Sequence, residues 1–358
     1  MSTIKKNPSP VALTAPVRHR RGHGRATLQD VAGRAGVTAI TVSRFLRAPA
    51  VVAAETAQRI EAALLATGYV PNKQAGQLAS GHSKMVAAII PSIANSIFAE
   101  TVQGLSDGLQ EAGYELLLTS TGYSREREQG QVRAVLGWFP SALVVTGRHH
   151  SEAALALLRA AQAARTPVIE IWDQQPPARS NGFAQVGFNH SAVGRAMAEH
   201  LLSQGHRRLA YVDSGVSEDF RAHERGKGFV AAAKAAGATV RLLTAPPGDA
   251  FDAGRLALGQ LLMADARVRA LAFANDNLAC GALLEAQQRG IPVPGQLALI
   301  GFGDFAIGRQ LQPALTTIRP PRYEIGRSAA ALLLGALEQG APLEARALPW
   351  ELLTRGST

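Results

Sequence analysis

TLQDVAGRAGVTAITVSRFLR, residues 27–47, is the stretch whose reading decides the fold at this end of the chain. Thr27 and Asp30 have the spacing of an N-cap and an N3 acid, a variant of the capping box. Leu28, Val31, Ala32 and Ala35 then fall at i, i+3, i+4 and i+7, one face of a short helix. Gly36 suits the positive φ of a sharp turn, and Thr38 can cap a second helix. In that helix Val42, Phe45 and Leu46 face inward, leaving Ala39, Ile40, Thr41, Ser43 and Arg44 outside. Helix, glycine turn and helix in so few residues is the layout of a helix-turn-helix, which sets its second helix into the DNA major groove.

Outward from this pair, Glu55–Thr67 is a third amphipathic segment with Ile60, Ala63 and Leu64 as its buried stripe. Tyr69-Val70-Pro71-Asn72 ends it, with Pro71 as breaker and Asn72 as the N-cap of a further short segment, Asn72–Ser80. The charge is concentrated here. The chain carries a formal +10, and residues 1–81 hold 11 Lys and Arg against three acids, so the rest is nearly neutral. A basic head on a neutral body points to a polyanion as partner of the head alone. A solvated basic tail would explain residues 1–26, read as disordered, but not the ordered pattern after them.

The remaining residues alternate short apolar strands with amphipathic helices. Strands are expected at Met85–Pro91, Tyr114–Thr119, Ala142–Val145 and Val168–Ile171, with helices Ala99–Ala112, Glu126–Trp138 and Ala153–Ala164 between and after them. A second series begins near Ala184: helix Ser191–Gln204, strand Arg208–Asp213, helices Glu224–Ala236 and Gly254–Ala264, strand Ala270–Ala274, helix Asn277–Arg289 and strand Leu297–Gly301. Two such series imply an α/β body of two doubly wound parallel-sheet lobes, with ligands at the C-terminal strand ends. Cys280 is the only cysteine, so no intrachain disulfide can form, and its apolar helical run suggests a buried, inert thiol suited to a reducing cytoplasm. No apolar run approaches the ~18 residues of a membrane span, and no apolar stretch follows the basic N-terminal residues as a secretory signal would require.

The run LQDVAGRAGVTAITVSRFLR…TAQRIEAALLATGYVPNKQAGQLASG resembles the head of the lactose-repressor (LacI) family of bacterial transcription regulators. GFNHSAVGRAMAEHLLSQGHRRLAYV (187–212), RGKGF (225–229), AFANDNLACGALLEAQQRG (272–290), PALTTIRPP (313–321) and the terminal ELLTRGST resemble that family's periplasmic-binding-protein-like core. VTAITVSRFLR, PSIANSIFAE, GYSREREQ and VGFNH are similar to its gluconate-utilisation repressor branch. The likeness covers nearly everything after residue 26. It implies a tail at 1–26, a DNA-binding domain at 27–71, a hinge helix and linker at 72–83, and an effector-binding, dimerising core at 84–358. Within the core it implies a first lobe at about 84–183 and 314–344, and a second at about 184–313 and 345–358.

By position, the resemblance places Thr38, Ala39, Ile40, Ser43 and Arg44 on or over DNA. Arg44 suits guanine or phosphate, while apolar Ala39 and Ile40 at the family's main specificity positions offer methyl or shape contacts. Thr27, Ser43, Asn72 and Lys73 become phosphate contacts, which position rather than read. Leu78, with Ala75 beside it, becomes the hinge leucine that wedges into the minor groove and kinks the duplex. Effector contacts carry over to Ser92 and Phe98 after the first strand, Glu170 and Asp173 around a later one, and Arg221 and Arg225 ahead of the helix through Gly228. Asn275 and Asp276 follow in the same way, with Asp304 standing in where relatives have an acid at the Gly303 position. Two arginines favour an acidic ligand such as a gluconate-like sugar acid.

Other classes fit less well. There is no GxxxxGK[ST], and Gly22-His23-Gly24 and Gly301-Phe302-Gly303 lack a dinucleotide-binding context. His149-His150 and His19/His23 lack acids or Cys in sequence to complete a metal set, so solvated histidines are expected and no metal or cofactor is. No GxSxG supports a hydrolase. A transport binding protein would share the body but not residues 27–81. The expected function is therefore a non-enzymatic, effector-switched regulator, by family default a repressor. It would act as a homodimer, or a dimer of dimers, on double-stranded operator DNA in the cytoplasm. The sign of its response to effector stays open.

Overall fold

The Thr27 hydroxyl accepts the Asp30 N–H at 3.3 Å while the Asp30 carboxylate accepts the Thr27 backbone N–H at 2.7 Å, so the capping box that opens the first helix is closed on both sides. A computed structural model describes residues 26–71, 83–93, 96–176, 178 and 180–358 of the chain. These fall into two compact units, one ending at Gly81 and the other beginning at His82. The tail expectation and the expectations for Asn72, Lys73, Ala75 and Leu78 lie outside the described residues.

In the first unit, α1 (Leu28–Ala35) ends at Gly36, whose φ of 65° makes the left-handed turn. Thr38 caps α2 (Ala39–Arg47) by accepting from Thr41 N at 3.2 Å. Then α3 (Ala54–Thr67) begins at Ala53 with no side-chain cap and stops at Gly68, φ 61°. The stop is thus this glycine, ahead of Pro71. Val31, Ala32, Ala35, Val42, Phe45, Ile60 and Ala63 form the small core.

The second unit contains two six-stranded sheets. In chain order its elements are β1 (Met85–Ile90), α4 (Ala99–Glu111), β2 (Glu115–Ser120), α5 (Arg125–Leu136), β3 (Ala142–Thr146), α6 (Glu152–Ala163), β4 (Val168–Ile171) and β5 (Ala184–Gly187). There follow α7 (His190–Ser203), β6 (Arg208–Asp213), α8 (Phe220–Ala235), β7 (Thr239–Thr244), α9 (Ala250–Ala264), β8 (Ala270–Phe273), α10 (Asp276–Gln288) and β9 (Ala298–Phe302). The chain finishes with α11 (Ala306–Gln310), β10 (Thr316–Arg319), α12 (Arg322–Gln339), β11 (Arg346–Ala347) and β12 (Glu351–Leu353). The sheet orders are β11-β5-β4-β3-β1-β2 and β12-β10-β9-β8-β6-β7, parallel throughout except for antiparallel β12.

These pairings move the lobe boundaries. Ala184–Gly187 pairs with β4 and so belongs to the first sheet, whereas the sequence reading opens the second lobe at 184. Thr316–Arg319 pairs with β9 in the second sheet, although 314–344 was expected in the first lobe. Arg346–Ala347 pairs with β5 in the first, although 345–358 was expected in the second. The chain therefore crosses between lobes after β5, after β10 and between β11 and β12. Such crossings leave no signature in hydrophobic period, because a strand reads the same in either sheet.

Helices of this unit pack through glycines. A Cβ on Gly194 of α7 would stand 1.8 Å from the Arg225 carbonyl oxygen of α8, and one on Gly228 would stand 2.0 Å from Ser191 O. The backbones meet because no side chain separates them. Among the described residues, no helix is long and apolar enough to cross a membrane.

Candidate functional site

The outward face of α2 carries Ile40, 70% exposed, with Thr38 and Arg44 also exposed. Ser43 and Ala39 are half-buried, and Ala39 packs against the small core, so it offers less reading surface than its position implied. Thr27 is exposed, but its hydroxyl is already engaged by Asp30 as donor and acceptor. What projects from this helix is thus one large apolar group and two guanidiniums, those of Arg44 and Arg47.

In the body, the strand orders place a topological switch between β1 and β3 in one lobe and between β6 and β8 in the other, where doubly wound sheets bind ligands. A cavity with about 350 Å³ of empty space lies there, lined by Ile97, Phe98, Tyr123, Trp172, His190, Asp219, Arg221, Arg225, Ala274, Asn275 and Phe302. Both lobes contribute. Phe98 meets Trp172 edge-on at 5.4 Å, and Trp172 sits 5.9 Å from Phe188. Trp172 holds the left-handed conformation, φ 65°, a conformation uncommon for a bulky residue and often found at functional sites.

Asp219 caps α8, which therefore begins at Phe220 rather than near Glu224. This corrects the placement of Arg221 and Arg225 ahead of the helix. They stand at i and i+4 inside it, on one face. Arg225 is 4% exposed and its guanidinium sits over Phe302, 3.9 Å from the ring centroid, while its Nη2 donates to Ala274 O at 2.8 Å. Its Nη1 donates to His190 Nδ1 at 3.0 Å, and His190 Nε2 lies 2.8 Å from Trp172 O. A carbonyl only accepts, so Nε2 carries the proton and His190 is neutral. Burial, reinforced by the charges of Arg225 and Arg221, holds its pKa well below the ordinary value.

Asp173 is fully buried and is not among the lining residues; its Oδ2 makes no hydrogen bond but faces the Arg148 Nε at 3.6 Å as an ion pair. Burial and the charge of Glu224 push its pKa up to about 6, against the opposing pull of Arg148 and Arg221. The Nε of Arg225 is buried and unpartnered. A buried guanidinium donor left open at a cleft is what an oxygen of a ligand would satisfy.

Other expected effector residues are engaged elsewhere. Glu170 accepts from Asn181 at 2.7 Å and Gln185 at 2.6 Å, with His150 3.3 Å away, so it belongs to the interior of the first lobe. Asp276 accepts from Thr317 Oγ1 at 2.6 Å and Phe305 N at 2.8 Å, fixing the loop after β9. Asp304 is gripped by Arg319 at 2.7 Å and Arg355 at 2.6 Å. Although burial works to raise its pKa, those two guanidiniums hold it below the ordinary carboxylate range. Asp304 therefore does not take over the missing acid's place in the cavity. Ser92 is half-buried and is not among the lining residues. Asn275 does line the cavity; its Oδ1 caps α10, which leaves its Nδ2 as the donor.

Sequence reasoning missed Tyr123, Trp172, His190 and Asp219. The capping of α7 by Asn189 was a usable signal, because it sets His190 at a helix start just beyond a strand end. His150 also departs from expectation. It is not solvated but buried, 2.6 Å from Glu128 and 3.3 Å from Glu170, acids distant in sequence. Among the described residues no His, Cys, Asp or Glu group is placed to hold a metal. Cys280 is buried, which pushes its thiol up to about 12.

A helix-turn-helix domain tied to a two-lobed body with a cleft defines an effector-linked DNA-binding regulator. The family described as bacterial regulatory proteins, lacI family, matches residues 27–72, and the periplasmic binding protein-like domain matches residues 198–358. The chain is 40% identical to the HTH-type transcriptional regulator GntR of Pseudomonas aeruginosa over 97% of its own length and 100% of that protein. It is 32% identical to the regulator GntR of Escherichia coli, covering 87% of this chain and 92% of the other. A LacI-family transcriptional regulator structure from Silicibacter pomeroyi superposes with a TM-score of 0.85 at 34% identity, over 93% and 99% of the two chains. The chain belongs to the LacI family and is a DNA-binding transcriptional regulator.

Proposed function

We propose that the chain is a homodimeric repressor whose operator affinity is switched by a sugar acid of the gluconate type bound between Phe98, Trp172, Arg221, Arg225 and Asn275. The observation that carries this reading is the buried, unpartnered Nε of Arg225 on a helical face that brings two arginines to the cavity. Guanidiniums bind a carboxylate, Asn275 binds a hydroxyl, and the aromatic rings cover carbon faces. Asp304, Glu170 and Asp276 are left out, since their carboxylates are already engaged. Two heads on one dimer match a near-palindromic operator. The exposed Ile40 reads a thymine methyl or groove shape, Arg44 a guanine or phosphate, and Leu78 supplies the wedge that the resemblance implies. Binding to a bacterial operator supports a cytoplasmic protein. Coupling of about 1–3 kcal/mol between cleft and operator is enough for a switch.

Calorimetry with gluconate and with a neutral hexose tests the ligand class. Gluconate is expected to bind and Arg221→Ala to weaken it. Binding of the neutral sugar without gluconate would refute the acid reading. Leu78→Ala is expected to weaken operator binding more than random-DNA binding; equal losses would refute the wedge.

A further inference from the structure

Outside the cavity, a second set of side chains joins the lobes. Arg148 and His149 follow β3 in the first lobe, while Glu224 stands one turn into α8 in the second. One oxygen of the Glu224 carboxylate accepts from Arg148 Nη2 and lies 3.1 Å from His149 Nε2. Phe220, the first residue of α8, stacks on the His149 ring at 4.6 Å, with the Arg125 guanidinium 5.8 Å from the Phe220 ring centroid. The Arg125 backbone N–H donates to Glu218 at 2.8 Å, a further bond from the first lobe to the second. Burial works to raise the Glu224 pKa, but the bonds from His149 and Arg148 hold it below the ordinary value, so its carboxylate is charged near neutral pH.

This junction is incompletely satisfied. Glu224 Oε2 is buried without a hydrogen-bond partner, and Arg148 Nε has only a long ion pair, 3.6 Å to Asp173 Oδ2 in its own lobe. Closing the lobes over them gains an ion pair and a stacked ring but leaves a carboxylate oxygen unpaired, which offsets part of the gain. A contact so balanced holds the lobes together reversibly.

We propose that Arg148, His149, Phe220 and Glu224 form an interlobe latch that sets how much of the protein has a closed cleft, and through that population its effector affinity, without themselves touching the effector. The proposal rests on the cleft being the effector site. When only a fraction of molecules is closed, apparent affinity falls by that fraction.

The test uses the full chain, labelled with spin probes at Ala156→Cys on α6 and Ala235→Cys on α8, both exposed, and diluted into unlabelled protein so that only intrachain distances are read. Glu224→Gln, Arg148→Gln and their combination are compared, with Phe220→Ala as a variant that leaves the charges alone. Without effector, each variant is expected to lengthen the interlobe distance. Each single charge variant should weaken gluconate binding about tenfold, and the double variant should be no worse than the weaker single, because both remove one shared contact. Saturating gluconate should restore the wild-type distance. An unchanged effector-free distance, or losses that multiply in the double variant, would overturn the latch. So would weakened binding at unchanged distance, since that marks direct effector contact. If wild-type protein fails to bind gluconate, the sugar-acid reading fails on its own, and the effector-free distances still decide the latch.

Discussion

Gly147 follows β3 with φ 78°, and a Cβ built on it would stand 2.6 Å from Arg221 Nη1. Its lack of a side chain lets a second-lobe arginine lie against a first-lobe loop. Gly147→Ala combines a left-handed backbone penalty of about 1 kcal/mol with displacement of Arg221. Effector affinity is expected to fall several-fold while effector-free operator binding persists; calorimetry showing unchanged affinity would remove Arg221 from the site. His150 carries a pH signature. Burial lowers its pKa, but hydrogen bonds and charge from Glu128 and Glu170 outweigh this and raise it to about 9. A folded pKa above the ordinary 6.5 gives stability that is fully present below about pH 6.5 and is lost as pH rises through about 9. Thermal unfolding of wild type and His150→Gln should therefore differ most below pH 6.5 and converge above pH 9. Parallel curves across that range would exclude the clamp. The histidine was visible in sequence but its acids were not, because Glu128, His150 and Glu170 meet only when α5, the loop after β3 and β4 are assembled.

Among elements, the glycines inside helices say the most. Gly194, Gly228, Gly254 and Gly281 each lower helix propensity by about 1 kcal/mol relative to alanine, yet each sits where a Cβ would stand about 2 Å from a neighbouring helix backbone. Tertiary contact overrides propensity there. Gly194→Ala should force α7 from α8 and cost about 3 kcal/mol of stability, read by urea unfolding; a neutral result would mean that the helices separate freely. At α3 the reverse holds. Ala53 leaves the helix without a side-chain cap, so Ala53→Ser should stabilise the isolated N-terminal unit by about 1 kcal/mol, and no rise in its melting temperature would show that the cap position lies elsewhere. The main strands and helices were legible because their apolar periods are regular. Edge strand β7, with most of its residues exposed, lacks that pattern and was missed.

At the scale of the whole molecule, binding DNA and sensing a ligand belong to separate units. Deletion of residues 1–81 should abolish operator binding in mobility-shift assays while leaving gluconate affinity within about twofold, since the cavity is lined only by residues of the second unit. Retained DNA binding would overturn that division. The sequence by itself determined the helix-turn-helix, the alternating α/β body and the class of regulator. Capping residues, glycine turns and hydrophobic period act between near neighbours and can be read along the chain. Only the tertiary structure decided which acids serve the cavity and which serve the frame. Asp219 lines the cavity, while Asp173 faces Arg148 and Glu170, Asp276 and Asp304 are consumed by partners brought from afar. It also decided that Arg221 and Arg225 share a helical face and that Glu224 bridges the lobes. A carboxylate's role depends on whether another group has already taken its lone pairs, and that depends on which distant segments fold against it.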